Sequence, residues 1–247
     1  IPSLDAYEVV LKNGMLNEDV NIPGVKILPL RTALKNDDLK PYLGKRINLQ
    51  KHPFAALNTA LFENGIVIEA EKNSVCDKPI HITHVYNAEE AVFIQPRILI
   101  IAHRGSKIQI VESVVVIGNK PLFVNSVTEC YVAENAQADQ YNLQIAPSNA
   151  HLVNFNKTVQ QSNSLYNNHT YILPDASLVR NNLHLDLNGS NTESHLYGLY
   201  LAGASQLADN HTTVNHLFPN CLSNELYKGV MLDSARCVFS GRIFVDQ

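Results

Sequence analysis

The chain has 247 residues, of which 45% are hydrophobic and 17% charged, with a formal net charge of −4. That length suits one large domain or two ordinary ones, and the acidic balance excludes the basic footprint that nucleic acid or an anionic membrane surface demands. No apolar run of about 18 residues occurs, so no helix able to span a bilayer is predicted.

The chain opens with Tyr7, Val9 and Leu11 alternating with Glu8, Val10 and Lys12. A period of two predicts a strand, and Asn13-Gly14 after it is the strongest short hairpin signal, because both positions accept positive φ. Residues 25–30 read as a second short strand that Pro29 keeps from running on. Residues 31–35 and 37–43 read as short helices. Pro53 suits a first helical position. Phe54, Leu57, Asn58 and Leu61 then follow the i, i+3, i+4, i+7 spacing of a helix face, and Gly65 stands where a left-handed residue would close that helix.

From residue 66 the period falls to two and stays there. Strand-like runs begin at Ile66, Ile80, Arg97, Lys107, Val114, Ser126, Tyr141, His151, His169, Leu183, His195, Asp209, Leu226 and Val238. With a further run at Cys130, they recur about every 10–16 residues, with Gly, Asn and Asp between them. A sandwich of this spacing uses about seven to nine strands, and this series continues past that number. Even spacing without intervening helices favours a solenoid. Gly105-Ser106, Ala136-Gln-Ala138, Asp175-Ala-Ser177, Gly203-Ala204 and Asp233-Ser-Ala235 read as its corners. Leu183, Leu185 and Leu187 are expected to point inward and His184 and Asp186 outward. The fold expected is a mainly β, parallel β-helix over residues 66–247, preceded by a small α/β region, a hairpin and short helices, over residues 1–65. A β-sandwich is the alternative.

Four cysteines, Cys76, Cys130, Cys221 and Cys237, form no CxxC pair and no zinc-spaced Cys/His cluster, so reduced thiols are expected. Cys237 shares the inward face of its strand with Phe239 and is expected to be buried. The Asn-x-Ser/Thr sequons at Asn156, Asn168, Asn188 and Asn210 read as accidents of an Asn-rich chain. The chain starts at Ile1 and ends at Gln247 just after a strand-like run, and is expected to be an ordered piece of a longer protein.

Several runs together resemble the SufB/SufD family. They are Leu196-Tyr-Gly-Leu-Tyr-Leu-Ala-Gly203, Asp209-Asn-His-Thr-Thr-Val-Asn-His216, Pro219-Asn-Cys-Leu-Ser223, Tyr227-Lys-Gly229 and Val238-Phe-Ser-Gly-Arg-Ile-Phe-Val245. Ala56-Leu-Asn-Thr-Ala-Leu-Phe62 with Gly65, Pro79-Ile80, Pro96-Arg-Ile-Leu-Ile100 and Val111-Glu112 look like the SufD branch of it. The resemblance covers about residues 10–247. It implies a right-handed parallel β-helix in a non-catalytic scaffold subunit of a SufBCD-type complex, with a SufC-like ATPase and a SufB-like paralogue as cytosolic partners. An iron–sulfur cluster would then be held transiently by the complex. The family's Cys-Ser-His-Gly motif and its SufC-binding helices lie past Gln247, so their residues are not assigned here. No P-loop occurs.

No catalytic residue is assigned. His211, His216 and Cys221 are the candidates for contact with iron or a cluster, because such a group needs imidazole or thiolate donors. The plainer reading is that Asp209, His211 and Thr213 form an outward polar ladder. His211 and His216 differ by five and should face opposite sides of one strand. Tyr197, Tyr200 and Tyr227 suggest an aromatic platform for sugar, the basis of an alternative reading as a carbohydrate-active enzyme, but the carboxylates nearby are sparse. A solenoid end leaves unpaired strand edges, which two copies can cover about a two-fold axis, so a homodimer is also expected.

Overall fold

The period-two segments stack on one another instead of folding back. The computed structural model describes residues 4–246. It is mainly β, with 58% strand and 7% helix, and it forms a parallel β-solenoid of about 6 turns. Two sheets make its walls. The first contains β1 (Tyr7–Lys12), β5 (Ile80–Ala88), β8 (Lys107–Gly118), β10 (Gln137–Gln144), β12 (Leu165–Ile172), β14 (Glu193–Ala202) and β16 (Leu222–Met231), in that order. The second runs from β2 (Val20–Ile22) and β3 (Val25–Pro29) through β4 (Gly65–Ala70), β7 (Arg97–Ala102), β9 (Leu122–Val132), β11 (Ala150–Gln160) and β13 (Leu178–Leu187) to β15 (Leu207–His216) and β17 (Arg236–Val245). The short β6 (Val92–Ile94) pairs with β9.

Each coil places one strand in each sheet, so a residue stacks on its equivalent one turn later. Gln137, Leu165, Glu193 and Leu222 form one such column. All these ladders are parallel except β2–β3 and β3–β4, which removes the sandwich alternative, whose sheets are antiparallel. Leu183, Leu185 and Leu187 are buried in the lumen, as their parity requires.

The corners repeat as well. Asn73, Gly105, Asn135, Asn163 and Asn191 all have positive φ. Their N–H groups donate in turn to Arg104, Glu134, Ser162, Ser190 and Pro219 carbonyls of the next coil. Asn is the non-glycine residue that best tolerates this left-handed region. Asp175, Ala204 and Asp233 mark a second set of positive-φ corners. The second set and Gly105 fall in corner turns expected from the sequence and Asn135 directly precedes one, whereas the corners at Asn73, Asn163 and Asn191 were not among those expected.

Residues 4–64 close one end and flank the second sheet. β1 joins the first sheet beside β5, and β2 and β3 extend the second beyond β4. The outer face of the second sheet is covered by α1 (Leu30–Ala33), the 3-10 turn Asp37–Leu39 and α2 (Pro53–Leu61). Leu30, Ala33 and Leu39 pack there on Val67, Leu99 and Ile101, while Ile47 and Ala55 pack on Val127 and Phe155.

A fully buried ion pair fastens this cover. Arg97 of β7 reaches Glu129 of β9, and both side chains are 0% exposed. Arg97 Nη1 also donates to Asn58 Oδ1 and Thr59 Oγ1 on α2, at 3.1 and 3.0 Å. Glu129 accepts from the backbone N–H of Gly44 at 2.9 Å. Asn58 Nδ2 donates to the carbonyls of Pro96 and Asn125. The pair therefore ties the helical segment to two neighbouring coils.

Four local expectations are corrected. Asn13-Gly14 does form a turn, with φ of 50° and 79°, but it closes only the single bridge between Lys12 and Met15. β1 pairs with β5 as the end strand of the first sheet, and the antiparallel hairpin is β2–β3. Residues 31–35 and 37–43 hold one four-residue helix and a 3-10 turn. The buried residues of α2 are Ala55 and Asn58, while Phe54 and Leu61 are 38% and 52% exposed, because Asn58 supplies the polar anchor just described. Gly65 does not cap α2. It opens β4, where a Cβ would stand 1.9 Å from the Arg97 carbonyl oxygen, so glycine is required there by close approach of two backbones.

Removing one partner of a buried pair leaves an uncompensated charge, at a cost of about 3–5 kcal/mol. Arg97→Met is expected to lower the stability of the chain by that order in urea unfolding. Arg97→Met with Glu129→Leu should recover part of the loss. A double variant as unstable as the single one would show that the pair's charge is not what the fold depends on.

Candidate functional site

The three cluster-ligand candidates lie in the last two coils but on different surfaces. His211 is on the outer face of β15, with Nε2 2.7 Å from Asp209 Oδ1, and Asp209 is also bound by Arg180 Nη1. This is the outward polar ladder expected from the sequence. His216 ends β15 with Nε2 2.9 Å from Ser223 Oγ. Cys221 precedes β16, half-buried, with Sγ 3.2 Å from the Gly189 carbonyl. Thus His216 and Cys221 flank one turn and His211 faces away from them. Among the described residues no three His, Cys, Asp or Glu side chains converge in a group able to hold a metal ion.

The other cysteines are held as thiols. Cys130 lies in the lumen at 0% exposure, and burial together with the nearby Glu112 charge pushes its pKa up to about 12. Burial also raises Cys76 and Cys237. A protonated thiol is a poor nucleophile and metal ligand. Cys237 is only half-buried, a correction to the burial expected from its inward parity, because it lies on β17, which has one sheet neighbour among the described strands.

The lumen is the feature least visible in the sequence. Two apolar clusters run along it, and amides and hydroxyls line the rest. Tyr166 donates to Gln140 at 2.6 Å, Asn168 to Tyr166 at 3.1 Å and Thr170 to Asn168 at 3.1 Å. Gln144 and Asn181 exchange bonds of 2.8 and 2.9 Å, and Asn181 continues to Asn210 at 3.0 Å. At one side His84 Nε2 lies 2.9 Å from Glu112 Oε2, with both side chains enclosed. Burial and the Glu112 charge raise the pKa of Tyr86 beside them. A cavity of about 90 Å³ runs between these groups, polar and large enough for water. His84 Nδ1, which lines this cavity, is buried without a protein partner and is left for such water. The sequons at Asn168 and Asn210 are sealed in this lumen, each 2% exposed, so neither presents its amide at the surface. The available signal was the Asn and Gln residues at inward parity in runs 137–144 and 150–160.

The three tyrosines form no platform. Tyr197 points outward in a column with His169 and Tyr141, with ring centroids 5.2 and 4.5 Å apart. Tyr200 and Tyr227 point inward, each over a glycine of the neighbouring strand. A Cβ on Gly198 would meet the Tyr227 ring at 2.1 Å, and one on Gly229 the Tyr200 ring at 1.8 Å. His184 and Asp186 share the outer face of β13 as expected, but they are not a solvated pair. His184 is packed against His52 and Phe155, and Asp186 binds Lys157.

The last coil leaves much apolar surface open. Leu226, Val230, Ile243, Phe244 and Val245 are 48–69% exposed. β16 and β17 are the terminal strands of their sheets, each with one edge unpaired among the described strands. No helix among the described residues is long and apolar enough to cross a membrane.

Comparison with known proteins agrees with this architecture. The sequence is 27% identical over 224 residues to an iron–sulfur cluster assembly SufBD family protein of Synechocystis sp., covering 87% of this chain and 49% of that protein. It is 25% identical over 202 residues to the iron–sulfur cluster assembly protein SufD of Escherichia coli, covering 81% and 48%. A SufBD family protein of Arabidopsis thaliana is 31% identical over 123 residues, or 49% of this chain and 26% of that protein. The chain spans about half the length of the first two of these relatives. The sequence model of the SUF system FeS cluster assembly SufBD core domain matches residues 84–247, from β5 to the last strand. The chain therefore belongs to the SufBD core family of the SUF iron–sulfur cluster assembly system.

Proposed function

We propose that this chain is a non-catalytic scaffold subunit for iron–sulfur cluster assembly, acting in the cytosol within a SufBCD-type complex. Its partners in this reading are a SufC-like ATPase and a SufB-like paralogue. The observation that carries the reading is the family match across the solenoid itself, residues 84–247. The local chemistry favours support over turnover, because Cys130 is held protonated in the lumen and His211 is engaged by Asp209. The cluster is cargo, held transiently by the complex. Any donor this chain lends to it comes from the turn between His216 and Cys221.

The exposed edges of β16 and β17 are where a further strand pairs. An unpaired edge with apolar neighbours is a template for another chain, and a second copy can meet it about a two-fold axis.

Affinity capture from an extract, with the protein tagged in its native gene context, is expected to recover SufC-like and SufB-like subunits together. Recovery of neither, with both present in the extract, would sink the scaffold reading. Sedimentation of the purified chain should show dimer that grows with concentration. A strict monomer at high concentration would remove the edge-to-edge pairing without touching the scaffold reading.

A further inference from the structure

The N-terminal segment meets the outer face of the second sheet around a cavity of about 210 Å³. Its walls carry Arg46, Lys51 and His52 from the segment before α2, and Lys157, His184 and Asp186 from β11 and β13. Asp186 is the only carboxylate among the lining residues. It is already engaged, with Oδ1 2.6 Å from Lys157 Nζ and 2.7 Å from Asn215 Nδ2. Arg46 and Lys51 are exposed and have no carboxylate within ion-pair distance among the described residues. Two cationic charges are thus left over at this spot, in a chain whose net charge is −4.

The imidazoles add donors. The rings of His52 and His184 pack edge to face with centroids 4.4 Å apart, and neither has a hydrogen-bond partner among the described residues. Burial, with the charge of Lys157 and the other histidine, pushes the His184 pKa down to about 3. Burial and the Lys157 and Lys51 charges lower His52. Both rings are therefore neutral at pH 7, and each carries one N–H. His52 is also the N-cap residue of α2, with no side chain capping the first turn, so the positive end of the helix dipole lies at the wall. A forked guanidinium, two ammonium groups and two ring N–H donors call for several acceptor oxygens and two negative charges. A carboxylate offers only two oxygens and one charge, whereas a phosphoryl group supplies what is missing.

We propose that this cavity is a binding site for a phosphoryl group, as inorganic phosphate or as the head of a phosphate monoester. The site is independent of the cluster-assembly reading and stands or falls on its own.

The test is a titration of the 247-residue chain with inorganic phosphate, and separately with methyl phosphate, at constant ionic strength set by sodium chloride. The ring resonances of His52 and His184 are followed by NMR. Saturable shifts of both rings are expected with at least one probe. Equal affinity for the two probes assigns the site to the phosphoryl head alone, whereas preference for methyl phosphate assigns it to a monoester. The double variant Arg46→Ala, Lys51→Ala changes only exposed side chains and should weaken binding by about tenfold, equivalent to about 1.4 kcal/mol. Asp186→Asn removes the competing carboxylate and should tighten binding several-fold. Absence of saturable shifts with both probes, or unchanged affinity in the double variant with its amide spectrum intact, would overturn the proposal.

Discussion

The strand ladders of the solenoid run between coils, not within them, and that constraint governs the rest of the structure. A strand in one coil finds its partners only in the coils before and after it, so no coil can bury its apolar side or satisfy its N–H and C=O groups alone. Parallel register follows, and with it the columns of like positions. Asn154, Asn181 and Asn210 stack in the lumen, left-handed Asn residues recur at the corners, and Tyr141, His169 and Tyr197 stack on the outer face. The same constraint makes the ends special. β2 and β3 close one end of the second sheet as an antiparallel pair, whereas β16 and β17 each have one edge unpaired among the described strands, beside exposed apolar side chains.

A buried charge pair is a costly way to fasten a cover, because both ions lose water. Arg97 and Glu129 offset that cost through bonds to Asn58, Thr59 and Gly44, so that the pair carries directional information that an apolar contact would not. The direction matters for function. The segment that follows Gly44 carries Arg46, Lys51 and His52, and its docking brings those residues to Lys157 and His184. The cavity between them exists only because residues more than a hundred positions apart are held against the same sheet.

How much of this was legible in the sequence depended on the range of the interaction. A period of two is local, and it placed the strands, the inward leucines and the outward His184 and Asp186. Positive-φ corners are also local, and Asn, Asp and Gly announced some of them. The solenoid followed because the series ran too long for a sandwich, while the resemblance of residues 196–245 supplied the family. Contacts set by long-range docking were not readable. The buried face of α2 is chosen by Asn58 bonding to β7 and β9, not by its apolar stripe. Gly65 is there for a neighbouring carbonyl, not for a helix end. The polar lumen was masked because its Asn and Gln residues sit at inward parity, where apolar residues are the usual expectation, and Asn168 and Asn210 read only as sequons.

Family membership places the chain in the SUF iron–sulfur cluster assembly system, and the proposal built on it is that the chain supports an assembly in which the cluster is built and holds no cluster by itself. The most direct measurement is iron and acid-labile sulfide on the chain purified alone under anaerobic conditions, compared with the same chain co-purified with its captured subunits after cluster loading. The expected result is iron and sulfide only in the co-purified material. Stoichiometric iron and sulfide on the chain alone, lost in His216→Ala or Cys221→Ser, would contradict the account and make this subunit a cluster-bearing site in its own right.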